Sequence, residues 1–363
     1  MRAITVRPPE KGFKVEELDF QKFSGPGLRI KLLENGICGT DREIVGGLLS
    51  AATTPKGYDR MILGHEAIGV LEEDGKTLKK GDLVMPVNRR GCGECLNCLM
   101  GRPDFCETGR FTEAGIIGMH GFMRDAMVDS EEFLVPVPQA IKKFAILAQP
   151  LSDLEKSVAE ILYIQGRMVW TCRDGTYNCR KALVIGTGPV GILISLLLRS
   201  YGFSVYAANK RVLSEKEGKI FEVAGITYIN GGKDLIELRN SGKTFDVVIE
   251  ASGSDADIIS GALKLIRNNG LLGIFGFSSI GSTTMSSSLI QSMVYKSVTI
   301  VGLINGQKPH FQMAMHRLAQ WNATWPEIVG SLITKEISIS DVDGIAAALQ
   351  KKENGEIKVK IKW

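Results

Sequence analysis

Up to about residue 150 the chain alternates short apolar runs with Gly, Pro and Asn. ITV, RIKLL, AIGVLEE, DLVMPV and FLVPVP are such runs. This spacing predicts strands of a compact, barrel-like β domain that carries long loops. Between 146 and 166, ILAQPLSDLEKSVAEILYIQG places apolar residues at helical spacing. Ser152 and Glu155 read as an S-x-x-E capping box near its start. From Lys181 strand-like runs (ALVIG, FSVYAAN, FDVVIEASG, GLLGIFGF, SVTIVGLING) alternate with helical segments such as GILISLLLRSYG. Near-continuous apolar strands with helical crossovers predict a parallel sheet covered on both faces, an α/β doubly wound fold. Beyond about 307 the pattern turns helical again and ends in EIKVKIKW, read as an edge strand returning to the first domain. The expected domains are 1–180, 181–306, and a return segment 307–363.

Composition narrows the function classes. Of 363 residues, 44% are apolar and 23% charged, ordinary globular usage that excludes a disordered or collagen-like chain. Net charge is only +4 and no polybasic block occurs, so nucleic acid is not an expected partner. MRAITVRPPEKGFKVEE lacks the apolar run of a secretory leader. The apolar stretch Ala182–Leu198 is too short for a membrane span and is cut by GTGP. These features point to a cytoplasmic protein with no membrane partner.

Seven cysteines, an odd number, argue against a secreted disulfide scaffold. Cys92, Cys95, Cys98 and Cys106 read C-x2-C-x2-C-x7-C, a spacing that lets four thiolates close a tetrahedron around structural zinc. An iron–sulfur run has a shorter last spacing and a trailing proline. Cys38 in NGICGTD and the His65–Glu66 pair in LGHEAIGV form a scattered second constellation. Catalytic zinc takes about three such ligands and leaves one place open. Cys172 and Cys179 match no zinc spacing and read as free thiols or one bridge.

Gly186, Gly188 and Gly191 in GTGPVG follow an apolar strand and open an apolar helix. That context makes G-x-G-x-x-G a Rossmann dinucleotide turn, with the pyrophosphate at the positive helix end. An NAD site usually carries an acidic residue about 20 positions further on. Here the strand ends in Asn209-Lys210-Arg211, which predicts NADP use with NAD tolerated.

Taken together, these motifs resemble the zinc-dependent medium-chain dehydrogenase/reductase family. GHE at 64–66 followed by Gly69, GDLV at 81–84, the four-cysteine lobe and the later GTGPVG carry the resemblance, in the family's order. ICGTDREIV, LGHEAIGV, VMPVNRRGCG, GRPDFCETG, ILAQPL and GLINGQKPHFQ narrow it to the archaeal glucose 1-dehydrogenase branch. The resemblance implies a GroES-like catalytic domain beside the Rossmann domain, and oxidation of an aldose at its anomeric carbon to the lactone. It implies catalytic zinc on Cys38 and His65, with Glu66 and Gln149 exchangeable or water-linked, and Thr40 receiving the proton. The sugar would meet Thr40, Asn88, Glu113, Gln149, Asp153 and Asn305; the cofactor would meet the glycine turn with Pro189 and Val190, Asn209, Lys210, Arg211, Phe277, Asn305 and Lys352. Two departures stand out: Gln149 replaces the Cys that alcohol dehydrogenases often use, and Glu43 replaces a His that joins the proton relay in many relatives. A homotetramer is implied, with SVTIVGL as the sheet-extending edge. An alcohol or polyol dehydrogenase of the same fold, or a non-catalytic NADPH-binding protein, are the other readings.

Overall fold

Strand Leu28–Ile37 buries Ile30 and Leu32 completely while Arg29 and Lys31 face solvent, so its alternation is that of a half-covered sheet. The computed structural model of the chain describes residues 1–23, 25–231, 238, 240, 242–253, 256–276 and 281–363. Leu28–Ile37 is central to a seven-stranded sheet whose order is Leu134–Pro136, Leu83–Pro86, Ala67–Leu71, Leu28–Ile37, Lys358–Lys362 and Ile333–Ser338, with Ala126–Asp129 also on Leu28–Ile37. A three-stranded sheet (Lys14–Glu17, Arg2–Val6, Met61–Ile62) lies apart in the pairing, and a small one (Arg89–Arg90, Thr112–Ala114, Gly118–Met119) flanks the cysteine lobe. Apolar clusters in this unit gather around Ile30, Val84 and Phe122 and around Ile4, Met61 and Val359.

The terminal segment is an inner strand, correcting the edge reading. Lys358–Lys362 pairs antiparallel with Leu28–Ile37 and parallel with Ile333–Ser338, which is the actual edge. Lys358 and Lys360 are buried in this inner strand and ion-paired to Glu66 and Glu34.

The second sheet is six-stranded and wholly parallel: Thr227–Asn230, Ser204–Asn209, Lys181–Ile185, Phe245–Glu250, Ile266–Ile274, Thr299–Gly302. In its own sequence order that is 3-2-1-4-5-6, the doubly wound dinucleotide-binding arrangement. Phe245–Glu250 is buried throughout, as a strand covered on both faces must be.

The chain divides into two compact units, Met1–Ser152 with Asn305–Trp363, and Asp153–Ile304. The second unit thus starts within helix Ala148–Gln165, ahead of the residue 181 expected from the sequence. That helix begins before the presumed capping box. Its first turn already holds Pro150, which is tolerated there, so Ser152 and Glu155 are interior. The Ser152 hydroxyl donates back to the Gln149 carbonyl at 2.7 Å. Cys172 and Cys179 form a disulfide within the second unit. Among the described residues no helix is long and apolar enough to cross a membrane.

Candidate active site

Sheet register brings the scattered ligands together. Strand Leu28–Ile37 delivers Cys38 at its end, and Ala67–Leu71, paired with it at Asn35↔Ala67, is led in by His65 and Glu66. The Cys38 thiol, a His65 ring nitrogen and a Glu66 carboxylate oxygen all lie within 4.8 Å of one another. Gly36 is required here, because a Cβ at that position would collide with the Glu66 carboxylate.

Asp41 organises the group. It is fully buried in the first turn of helix Gly39–Val45, where its carboxylate accepts the Cys38 N–H at 2.7 Å. It also stands 3.5 Å from His65 Nδ1, which leaves Nε2 as the nitrogen for a cation. Burial opposes a charged His65, yet Asp41 and then Cys38 hold its pKa well above the ordinary value. A soft thiol, an imidazole and a buried carboxylate gathered in one place are a donor set that fits Zn²⁺, whose positive charge the same carboxylate and thiol would favour. Both Glu66 oxygens are engaged by Lys358 Nζ at 2.6 and 2.7 Å. Burial disfavours that ammonium, but Glu66 foremost keeps its pKa raised. Sequence reasoning missed Asp41, although it stands in the quoted CGTD string, and missed Lys358, hidden in the alternating tail.

A second polar cluster stands in the same unit. Asn88 and Glu113 are buried, and Asn88 Nδ2 donates to Glu113 Oε1 at 3.0 Å. Arg89, cross-strand partner of Glu113, brings Nη1 to 3.5 Å from Glu113 Oε2. Asn305 takes a left-handed backbone (φ 54°) and sets its amide against the same guanidinium. Burial raises the Glu113 pKa, with Arg89, His65 and Asn88 pulling it back. Arg89 was not among the sequence candidates.

The remaining described candidates stand on or just after helices. Thr40 is half-buried in the first turn behind Cys38. Gln149 is buried in the first turn of helix Ala148–Gln165. Asp153, further along that helix, falls in the second unit. Lys352 is exposed after helix Val342–Gln350 in the first unit, and Glu43 is exposed on helix Gly39–Val45. Phe277 lies outside the described residues.

Cys92, Cys95, Cys98 and Cys106 bring their sulfurs within 4.8 Å of one another, with Cys92 and Cys98 3.9 Å apart. The Thr108 hydroxyl first, then the Cys95 N–H, pull Cys92 down to about 6, while burial pushes Cys98 up to about 12. Four crowded thiols that cannot all ionise alone fit a closed zinc site.

At the glycine turn, Gly186 sits at φ 111° after strand Lys181–Ile185 and packs under 3 Å, in Cβ terms, from Ala251. Gly188 precedes helix Pro189–Ser200, so Pro189 and Val190 form its first turn, and a Cβ on Gly191 would strike the Gly186 carbonyl. Asn209 ends the next strand and donates to Thr187 Oγ1 at 2.5 Å. Lys210 is exposed. The sequence reading found no carboxylate nearby; Glu217 is one, but its oxygens are taken by Arg211 and Ser214.

One unit with a Rossmann sheet and one β-rich unit with an open and a closed metal-type cluster define a zinc-type nicotinamide dehydrogenase. The family "Alcohol dehydrogenase GroES-like domain" matches residues 26–139, and "Glucose dehydrogenase C-terminus" matches residues 142–363. The chain belongs to the zinc-dependent medium-chain dehydrogenase/reductase family, among its glucose dehydrogenases. It is 54% identical to glucose 1-dehydrogenase 1 of Picrophilus torridus and 50% identical to glucose 1-dehydrogenase 2 of Saccharolobus solfataricus, over all of this chain and of each relative. In fold it is similar to Haloferax mediterranei glucose dehydrogenase in complex with NADP, Zn and gluconolactone (TM-score 0.87, 24% identity, 100% of this chain and 99% of that one).

Proposed function

We propose that the protein is an aldose 1-dehydrogenase, oxidising glucose or a close relative to the lactone with NADP and, less well, NAD. The observation that carries this is the convergence of half-buried Cys38 with buried His65 and Glu66, within 4.8 Å of one another. Full-length identity of 50% and more to glucose 1-dehydrogenases supports the substrate class.

When bound, zinc supplies the positive charge that acidifies the anomeric hydroxyl, and the nicotinamide supplies the acceptor for the hydride on C1. The chain's own residues do the rest. Cys38 as thiolate and His65, steadied by Asp41, would hold the cation, with Glu66 and Gln149 as its exchangeable partners. Thr40 receives the hydroxyl proton and passes its own to water, since Glu43 points to solvent and offers no histidine relay. Asn88, Glu113, Asp153 and Asn305 recognise sugar hydroxyls, which a small apolar alcohol could not satisfy. Gly186, Gly188, Pro189, Val190 and Gly191 cradle the pyrophosphate, with Phe277, Asn305 and Lys352 as further cofactor contacts. Selection of the 2′-phosphate rests mainly on Asn209 and Lys210, because Arg211 is engaged by Glu217. The sulfur lobe would hold a second, structural zinc. We also propose a homotetramer, extended through the outer strand Thr299–Gly302, working in the cytoplasm.

The test is a turnover screen of aldoses, polyols and simple alcohols with NADP and NAD, with and without chelator. Aldose oxidation that chelation abolishes, and that Cys38→Ala loses together with one zinc per subunit, is expected. Preference for a polyol or simple alcohol would move the protein to another branch. Light scattering reads the assembly.

A further inference from the structure

We infer that Arg89 is a positioning residue that fixes the hydrogen-bonding polarity of the sugar-recognition cluster, turning Asn88, Glu113 and Asn305 into a preset array for adjacent hydroxyls. This rests on the aldose reading above and deepens it.

The guanidinium is nearly buried, with 11% of its side chain exposed, and stacks on Phe111 with Cζ 3.6 Å from the ring centroid. An arginine so confined presents its donors in fixed directions. One edge faces Glu113 Oε2 at 3.5 Å. Nε and Nη1 both face the Asn305 amide, the former at 3.2 Å. Arginine has donors only, so Asn305 must turn its oxygen to Arg89 and keep its –NH2 as a donor. Glu113 faces the cation through Oε2 and orients Asn88 by accepting from its Nδ2 at 3.0 Å. Asn88 is 2% exposed, and its Oδ1 is left buried without a partner. An orphaned buried acceptor costs stability unless a ligand fills it. A hydroxyl is the fitting group: it donates to Asn88 Oδ1 or Glu113 and accepts from Asn305. One charge thereby sets three polar groups, two acceptors and one donor.

The experiment compares wild type, Arg89→Met and Arg89→Lys on D-glucose and on its monodeoxy analogues, alongside zinc content, NADPH binding and thermal midpoint. For Arg89→Met we expect kcat/KM on glucose to fall about 30-fold or more, mostly through KM. The penalty that wild type shows for the analogue lacking the recognised hydroxyl should shrink toward none, the non-additivity of a shared contact. Arg89→Lys, which keeps the charge but not the fork, should recover part of the loss. A glucose kcat/KM within threefold of wild type in Arg89→Met overturns the role. So does an unchanged deoxy penalty in either variant, which a merely structural defect would give; if Arg89→Met does not fold, Arg89→Lys carries this comparison. Should wild type oxidise no aldose, the function itself is wrong, a separate result from a variant that matches an active wild type.

Discussion

At the scale of single residues, the centre is governed by charges that have no water to lean on. Glu66 and Lys358 are both buried, and each is the other's compensation. Removing one partner of such a pair leaves an uncompensated charge, which typically costs about 3–5 kcal/mol. Lys358→Met should therefore lower unfolding stability by roughly that much in urea titration, and adding Glu66→Gln should return part of it. A single variant as stable as wild type would show that the pair contributes nothing. His120 offers the opposite case, a base kept neutral. It sits against Phe23 and Tyr58 (centroids 4.9 and 4.5 Å), and its Nδ1 accepts the Ile62 N–H at 3.3 Å. Burial, with Arg124 nearby, lowers its pKa from 6.5 to about 4. Because the unfolded chain takes up that proton first, its stabilising contribution is complete above about pH 6.5 and fades as pH falls toward 4. His120→Phe should flatten this part of the acid slope, read as the difference in urea midpoints at pH 7 and pH 4.5; parallel slopes would remove His120 as the cause.

Among the elements, the Cys172–Cys179 bridge closes a short loop just ahead of the first Rossmann strand. Asp174 ties the same loop from inside, accepting from Thr176 Oγ1 at 2.7 Å and Asn178 Nδ2 at 3.0 Å. Tyr177 in that loop stacks on Phe203 at 5.2 Å. A loop of this size is worth about 2 kcal/mol when closed, so Cys172→Ser with Cys179→Ser should lower the thermal midpoint and leave turnover at 25 °C intact. Calorimetry with and without reductant checks it: a midpoint in wild type that ignores the reductant would deny the bridge that role. Elements whose signal is local were readable in the chain. The glycine turn, the sulfur lobe and the parallel strands each carry their own pattern within a few residues, and so did Cys38 and His65–Glu66 as motif fragments. What escaped depends on distant partners. The tail's lysines have the alternation of an exposed strand until Glu66 and Glu34 are known to face them. Ser152 and Glu155 have a capping-box spacing, but the helix had already started at Ala148. Arg89 is one of two adjacent arginines, and only the cross-strand pairing with Glu113 tells which one the sugar cluster uses. Its neighbour Arg90 instead forms a bidentate pair with Asp129 at 2.8 and 2.6 Å.

At the scale of the whole chain, the last residues complete the first unit. The first unit is discontinuous, and Asn305–Trp363 must return to complete a sheet begun near the N-terminus. Trp363 Nε1 donates to Asn35 Oδ1 at 2.5 Å across 328 positions of sequence, and Lys358–Lys362 fills the gap between Leu28–Ile37 and Ile333–Ser338. Contacts of such separation form late, because the entropy of closing the chain is met before they repay it. Until then the strand that carries Cys38 has an open side, and neither Glu66 nor Glu34 has its cation. A chain stopped after Glu356 would lack Val359 and Ile361, both fully buried, and would leave two inner strand edges exposed. It should lose the cooperative unfolding of the first unit, aggregate, and expose Cys38 to a thiol reagent that reaches it only slowly in the metal-free full-length protein. The strand's burial predicts this outcome and its edge reading predicts the reverse, since an outer strand of exposed lysines could be removed at little cost. Equal Cys38 protection and an equal thermal midpoint in the two chains would restore the edge reading and detach the metal centre from the C-terminal strand.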